Sequence, residues 1–449
     1  MSAERSARSV SETEGVDKVR ALQRVLYRSA KSDPARRFHA LYDHVARSDI
    51  MWRAWSNVAA NQGAPGVDGV SVADVEDSGV GECLGALAGE LKAKTYRPKP
   101  LRRVRIPKPG KPGATRPLGI PCVRDRVVMA AAKIVLEPIF EADFSPQSFG
   151  FRPKRSAHMA IEAIRVEANR GADWVLDADV SDCFGSIDHD VLMGLVSQRV
   201  SDRQMLKLLR AWLRAGVLED GGMTDSVSGT PQGSPISPLL ANIALHVLDV
   251  EWEKASRRLG VLIRYADDFV VLCATKVRAE EARERAAAVL AGLGLTLNPD
   301  KTRIVRLTRG EEGFDFLGFH HRKVESWRWP GRFYMQRWPS KRAMASITDK
   351  VRQATDRRFV GYSLETAVTR LNPVLRGWGN YFRYGNSARK FTTVDSYVHM
   401  RLARLASTKH GLSRRNWSRN NRFNLEWLLG LEVYRLTGTV RRRTAHALR

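Results

Sequence analysis

Cysteine is scarce in this chain: Cys83, Cys122, Cys183 and Cys273 are the only four in 449 residues, and none forms a C-x-x-C pair. That spacing argues against a zinc module and against a disulfide framework, and it suits a reducing cytoplasm. Long apolar runs are missing as well. None approaches the roughly 18 residues of a membrane span, so no membrane partner is expected. The opening "MSAERSARSVSETEGVDKVR" lacks the apolar stretch of a secretory signal. No internal repeat or low-complexity segment is present. Acidic residues are depleted at one end only: residues 321–449 hold 28 Lys+Arg against 7 Asp+Glu, whereas residues 1–320 hold 46 against 41. Most of the net charge of +26 therefore sits in the last 129 residues. A merely soluble basic surface is one reading. A charge excess this concentrated favours the other, a module that binds nucleic acid.

What is present is a globular chain, 43% apolar and long enough for two or three domains. Helical spacing predicts mainly helix over 1–58, in "VDKVRALQRVLYRSA" and then in "FHALYDHVARSDIMWRAWSNVAA". "NQGAPGVDGVSV" must be loop. Residues 96–121 alternate basic residues with prolines around short β-prone pieces, which suits an extended hairpin with a basic face. A helix follows in "VRDRVVMAAAKIVLEPIFEADF". From 174 to 320 strands and helices mix: "WVLDADV" and "VLIRYADDFVVLC" are strand-like, while "DHDVLMGLVSQRV", "SDRQMLKLLRAWLRAG", "SPLLANIALHVLDVEWEKASRRLG" and "RAEEARERAAAVLAGLGL" are helix-like. "FDFLGFHHR" reads as a short strand or a tight pair. Around 325–340 acids thin out and Trp and Arg rise, which marks a domain boundary.

The segment "IRYADDFVVLC", 263–273, contains the chain's one Asp-Asp pair, Asp267 and Asp268, within an apolar run. On periodicity alone it reads as one buried strand. A buried unpaired carboxylate costs several kcal/mol, and two adjacent ones repel. Holding divalent metal is the chemistry that rewards this crowding: Mg2+ takes oxygen ligands, and two ions about 4 Å apart stabilise the attacking and leaving oxygens of phosphoryl transfer. A further carboxylate from a neighbouring strand is expected, and "LDADVSDCF" offers Asp179. Any one buried Asp could instead be a hydrogen-bonded structural residue.

"YADD" together with "DADVSDCF" resembles the active site of reverse transcriptases, whose palm carries Tyr-x-Asp-Asp on a hairpin and Asp-x-x-x-x-aromatic on the next strand. "GTPQGSPISPLLANIAL" is similar to the family's Pro-Gln-Gly motif. "NQGAPGVDG", "RPLGIP", "SFGFRPKRSAHMAI", "LNPDKTRIV" and "FDFLGF" resemble the bacterial group II intron branch, in order from about 61 to 320. The resemblance implies an α+β fold: a right-hand polymerase whose palm has an antiparallel sheet, followed by an α-helical thumb or maturase domain. The expected division is an N-terminal helical extension at 1–58, fingers at 59–170, palm at 171–325, thumb/maturase at 326–410, and a basic tail at 411–449 that could bind DNA. It implies Asp179, Asp267 and Asp268 as metal-holding catalytic carboxylates, with the Val180 carbonyl as an added ligand, for two Mg2+ ions replaceable by Mn2+. It implies Arg116 and Lys108 on the incoming triphosphate, Gln232 lining the nucleotide pocket and Phe184 beneath the sugar. The lesser readings are a solvated basic loop for Lys108 and Arg116 and a turn residue for Gln232; on sequence alone Phe184 could equally be core.

Beyond 325, "LNPVLRGWGNYFRYGNSARKFTTVDSYVHMRLARLASTKHG" resembles the thumb or maturase domain of the same branch. Trp378, Tyr381, Phe382 and Tyr384 interleave with Arg376, Arg383, Arg389 and Lys390, so the rings are expected inside and the cations on RNA phosphates. The 39 or so residues after Gly411 carry no cysteine, which resembles the endonuclease-lacking type. The implied activity is RNA-directed DNA polymerisation, with help to the folding, splicing and mobility of a parent intron. The implied partners are an RNA template, group II intron RNA, a DNA primer or target, and deoxynucleoside triphosphates. A host-adopted, for example defence-associated, reverse transcriptase is an alternative; "QGSPISP" favours the intron branch. So is a splicing cofactor that binds RNA without polymerising, against which the intact carboxylates argue.

Overall fold

The computed structural model describes residues 18–107, 113–219, 222–224, 229, 233–307, 312–411 and 421–441. Lys108, Gln232 and parts of the basic tail lie outside these residues. The chain divides into two compact units. The first gathers residues up to 156, 176–271 and 277–303; the second gathers 157–175, 272–276 and 304–449.

The first unit begins with helices α1 (18–32), α2 (Tyr42–Val45), α3 (Ser48–Ala60), α4 (Val72–Ser78) and α5 (Val80–Lys92). The second predicted helix is therefore two. Arg47 is extended, with φ −67 and ψ 136, and its guanidinium bonds the Asp49 carboxylate, so the chain turns before α3 starts. The basic Pro-rich stretch folds as expected into an antiparallel hairpin, β1 (Leu101–Pro107) with β2 (Thr115–Ile120), which sets Arg116 opposite Ile106. Helix α6 (Val123–Glu141) is buried almost all round and packs on α3, which explains its near-continuous apolar sequence.

Helix α7 (Ala157–Asn169) precedes β3 (Trp174–Asp179). Then come α8 (Cys183–Ser186), α9 (His189–Ser197), α10 (Arg203–Leu213), the short strands β4 (Val217–Glu219) and β5 (Gly222–Thr224), and α11 (Ser237–Leu259). Asp188 and Asp202 cap α9 and α10 by accepting from the first free backbone N–H groups. Next are β6 (Val261–Tyr265), β7 (Asp268–Cys273), α12 (Lys276–Ala291) and β8 (Arg303–Arg306). Strands β6, β7, β3 and β8 form one sheet in that order.

In the second unit β9 (Phe314–Phe316), β10 (Phe319–Glu325) and β11 (Phe333–Pro339) form an antiparallel sheet. It is followed by α13 (Lys341–Ala354), α14 (Leu364–Phe382), α15 (Ala388–Lys409) and α16 (Leu425–Gly430). Its core joins Phe319 to Ile347, Val351, Leu371, Leu375, Phe391, Val398 and Leu402. Of the rings of the basic segment, Phe382 is buried in this core and Trp378 and Tyr381 pack partly buried against it, while Tyr384 is half-buried: Phe382 lies 4.7 Å from both Phe319 and Trp378, and the Tyr381 hydroxyl donates to the Leu317 carbonyl. The chain is α+β, and among the described residues no helix is long and apolar enough to cross a membrane.

Candidate active site

The run 263–273 is two strands rather than one. Strand β6 ends at Tyr265 and β7 begins at Asp268, so Ala266 and Asp267 form a two-residue turn. Apolar periodicity cannot reveal such a break, because both strands are buried and the turn is itself half-apolar. Ala266 takes φ +58, a left-handed conformation that strains a residue with a Cβ.

A buried network holds this turn. Arg264 is fully buried; its guanidinium donates to both oxygens of Asp249 at 2.8 and 2.5 Å, to Asn242 Oδ1 at 3.0 Å and to the Ala266 carbonyl at 2.9 Å. Burial alone would raise the Asp249 carboxyl, but the Arg264 charge and hydrogen bonds outweigh it and hold it low. Asn242 donates to the Gly150 carbonyl, and the backbone of Arg264 pairs with Gln147 and Phe149. Gly150 must be glycine: a Cβ there would stand 2.2 Å from the Ala266 nitrogen. Sequence reasoning missed Arg264, Asp249 and Asn242. The available signal was a lone cation inside an apolar strand, which needs a buried partner.

Asp179 ends β3, the neighbour of β7 in the sheet. Its carboxylate receives the Lys301 ammonium at 2.6 Å, and its carbonyl accepts from Asn298. Ser181 donates to Thr296, so Val180 bridges Leu297 as a non-hydrogen-bonded pair, and its own carbonyl turns away from that partner. Asp268 faces Asp179, close enough for its carboxyl to bond the other when it holds a proton. Loss of surrounding water, then the charges of Asp267 and Asp179, push the Asp268 carboxyl up to about 7, although water on its exposed face screens part of that repulsion. Burial and Asp179 also raise Asp267, against Lys301 and Arg264. Burial, with the negative charge of Asp267, pushes the Cys183 thiol up to about 12, so it stays neutral.

The three carboxylates do not stand as a finished coordination sphere. Among the described residues no group of three or more His, Cys, Asp or Glu side chains is arranged to hold a metal ion. The donor chemistry nevertheless fits. All are hard oxygens of the kind Mg2+ takes, and among the described residues the half-exposed Lys301 ammonium is the cation bonded to Asp179. Lys301 lies in the quoted "LNPDKTRIV", yet no role for it follows from spacing alone.

Phe184 follows Asp182, whose φ of +36 turns the chain out of β3. The ring is half-buried and meets Phe151 edge-on at 6.5 Å. Gly185 leaves room for the Asp182 carboxylate, which a Cβ would approach to 2.2 Å. The described ends of the Pro-Gln-Gly segment close on the same place. Gly229 lies against the Phe184 and Gly185 carbonyls and is held by His189, and Gly233 lies against the Gly119 carbonyl of β2. Arg116 is exposed three residues earlier on β2. In the second unit Arg376 lies over Tyr434 and Arg383 over Tyr384, while Arg389 is exposed and Lys390 half-exposed on α15.

The end of β3 thus brings Asp179 beside the strained β6–β7 hairpin that carries Asp267 and Asp268. Residues 106–321 match the family described as reverse transcriptase (RNA-dependent DNA polymerase), and residues 344–423 match the group II intron maturase-specific domain. Protein YkfC of Escherichia coli K12 is 36% identical over 68% of this chain and 87% of its own length. The group II intron-encoded protein LtrA of Lactococcus lactis subsp. cremoris is 41% identical over 47% of this chain and 35% of its own. An uncharacterized 91 kDa protein in the cob intron of Schizosaccharomyces pombe is 26% identical over 79% of this chain and 52% of its own. The chain belongs to the family of group II intron-encoded reverse transcriptases and maturases. The aligned part spans about a third of the lactococcal protein.

Proposed function

We propose that the chain copies RNA into DNA at Asp179, Asp267 and Asp268 and assists its parent group II intron in splicing and mobility. The observation that carries this reading is the meeting of three carboxylates from adjacent strands at the strained Ala266 turn, with Lys301 as their close counter-charge. Divalent cations, Mg2+ or Mn2+, would supply Lewis acidity at the attacking and leaving oxygens. Asp179, Asp267, Asp268 and the Val180 carbonyl would hold two of them, with Lys301 swinging off Asp179 on its flexible stem. Arg116 and Lys108 would hold the triphosphate, Gln232 would line the pocket, and the Phe184 ring would lie beneath the sugar. Arg376, Arg383, Arg389 and Lys390 would contact RNA phosphates, on the template or the intron.

Primer extension on an RNA template with deoxynucleotides and Mg2+ tests the polymerase half. Asp268→Ala should abolish most extension while leaving RNA binding intact; extension at the parent rate would remove Asp268 from the metal site. Sequencing RNA that copurifies with the protein tests the maturase half. A structured intron surrounding its own gene is the expected result, and enrichment of unrelated RNA alone would favour a host-adopted enzyme.

A further inference from the structure

Burial accounts for most aromatic rings in the second unit, but not for those at the tip between β10 and β11. Trp327 is 89% exposed and Trp329 55% exposed, on one seven-residue turn, "SWRWPGR". Tryptophan carries the largest apolar surface of any side chain, and two left open together mark an interaction site rather than chance exposure. The turn is firmly built. The Ser326 hydroxyl accepts from the N–H groups of Arg328 and Trp329, the Ser326 N–H donates to the Arg332 carbonyl, and Arg332 N–H donates to the Trp329 carbonyl. Gly331, at φ +80, donates its N–H to the Glu325 carboxylate, so the nearest acid is tied into the backbone. Each ring has its own guanidinium: Arg328 lies 5.4 Å from the Trp327 centroid and Arg332 lies 5.8 Å from that of Trp329.

We infer that this tip binds single-stranded nucleic acid, stacking unpaired bases on Trp327 and Trp329 while Arg328 and Arg332 take the adjoining phosphates. A guanidinium covers at most one face of a ring, which leaves the other face to a base. Bases in a duplex hide their faces, so single strands, loops and ends are the fitting partner, and stacking tolerates any sequence. An apolar protein pocket would receive the two rings but would have to bury two arginines with them. A polyanion pairs with both features at once. The turn is preorganised, so little ordering opposes binding. The site involves none of the polymerase residues, and its test reads binding rather than extension.

The test uses the full chain and fluorescein-labelled RNA oligonucleotides, intact or abasic, followed by anisotropy across a salt series. The parent should bind intact RNA more tightly than the abasic strand. Trp327→Ala with Trp329→Ala should reduce that preference about tenfold or more, since stacking on one ring is worth on the order of a tenfold change. Abasic binding should stay as it was. Arg328→Gln with Arg332→Gln should instead flatten the dependence on salt by one to two phosphate equivalents. Trp327→Phe with Trp329→Phe keeps the rings and should keep most of the preference. An unchanged intact-to-abasic ratio in the alanine pair would overturn the inference, as would equal losses for both strands. Binding to phosphatidylserine vesicles is measured in parallel, and a loss in the alanine pair confined to those vesicles would overturn it too, making the tip a lipid wedge. Thermal midpoints within a degree or two of the parent are expected, because both rings lie on the surface. Loss of the preference in the phenylalanine pair would likewise count against stacking.

Discussion

Asp249→Asn is the sharpest probe of how the Ala266 turn is held. Arg264 and Asp249 are 0% and 2% exposed, and two hydrogen bonds join them. The substitution leaves the guanidinium in place and removes its counter-charge. Stranding one member of a buried pair costs about 3–5 kcal/mol, roughly two to three and a half powers of ten in the unfolding equilibrium. For a unit of this size that is on the order of ten degrees in thermal midpoint. The pH trend has a fixed sign: Asp249 is held low in the fold, so its contribution is present at neutral pH and fades as pH falls through its folded value. Combining Asp249→Leu with Arg264→Met separates structure from function. An apolar pair of similar volume is often neutral for stability, so the midpoint should recover. The Ala266 carbonyl would still lack its Arg264 donor, and the strained turn would relax. A 1 Å misplacement of catalytic groups can cost about a hundredfold, so primer extension should stay low. The reasoning fails if Asp249→Asn unfolds within about 1 kcal/mol of the parent, or if the double variant extends primers at the parent rate.

His321 is fully buried and stacked on Phe314, and burial, then the charge of Arg337, lowers its pKa to about 3. Between about 3 and 6.5 the unfolded chain binds the extra proton, so stability should fall on acidification, by about 2 kcal/mol at pH 5 relative to neutral pH; a profile that His321→Leu leaves unaltered would discount this residue. Phe184→Ala should raise ribonucleotide incorporation relative to deoxynucleotide, with a stability loss below the roughly 3–5 kcal/mol of a fully buried ring; equal selectivity with lower stability would make Phe184 a packing residue. Arg389→Gln with Lys390→Gln should lower the slope of RNA affinity against salt by about two. Arg376→Gln and Arg383→Gln should matter less, since both cations already lean on Tyr434 and Tyr384; the reverse ranking would refute that division.

Legibility in the sequence followed the range of the signal. Helices with one apolar face, such as α10 with Met205, Leu208, Leu209 and Trp212 inside, were readable from spacing, because local periodicity decides them. The β1–β2 hairpin was readable because proline excludes helix there. The turn at Ala266 was not readable from periodicity and came only through resemblance, since nothing in an apolar run says where it folds back. Arg264 was visible as an anomaly, but its partners lie 15 and 22 positions upstream on α11, a pairing that only the fold supplies. Lys301 fell short for the same reason: it reaches Asp179 across 122 positions.

These local violations gather around the Ala266 turn and the end of β3, and that has a physical meaning. Ala266 and Asp182 both occupy left-handed backbone regions, the Arg264–Asp249 pair is buried, and three carboxylates crowd one another. Each is costly taken singly, by about 1–3 kcal/mol for the strained backbone alone. A chain selected only for stability would relax them independently. Left-handed non-glycine residues also occur elsewhere, at Gln62, Lys94, Phe151, Lys154, Leu317 and Glu432; what sets this region apart is the coincidence of strain, a buried ion pair and crowded acids, the pattern expected where geometry is imposed for chemistry. The strain is also directional. Arg264 pulls the Ala266 carbonyl inward, the absent Cβ of Gly150 lets the turn approach, and Asp267 and Asp268 are thereby held toward Asp179 rather than splayed by repulsion. Lys301 meets the charge on Asp179 at the end of a flexible stem, so on the proposed reading it would be displaced without disturbing the frame.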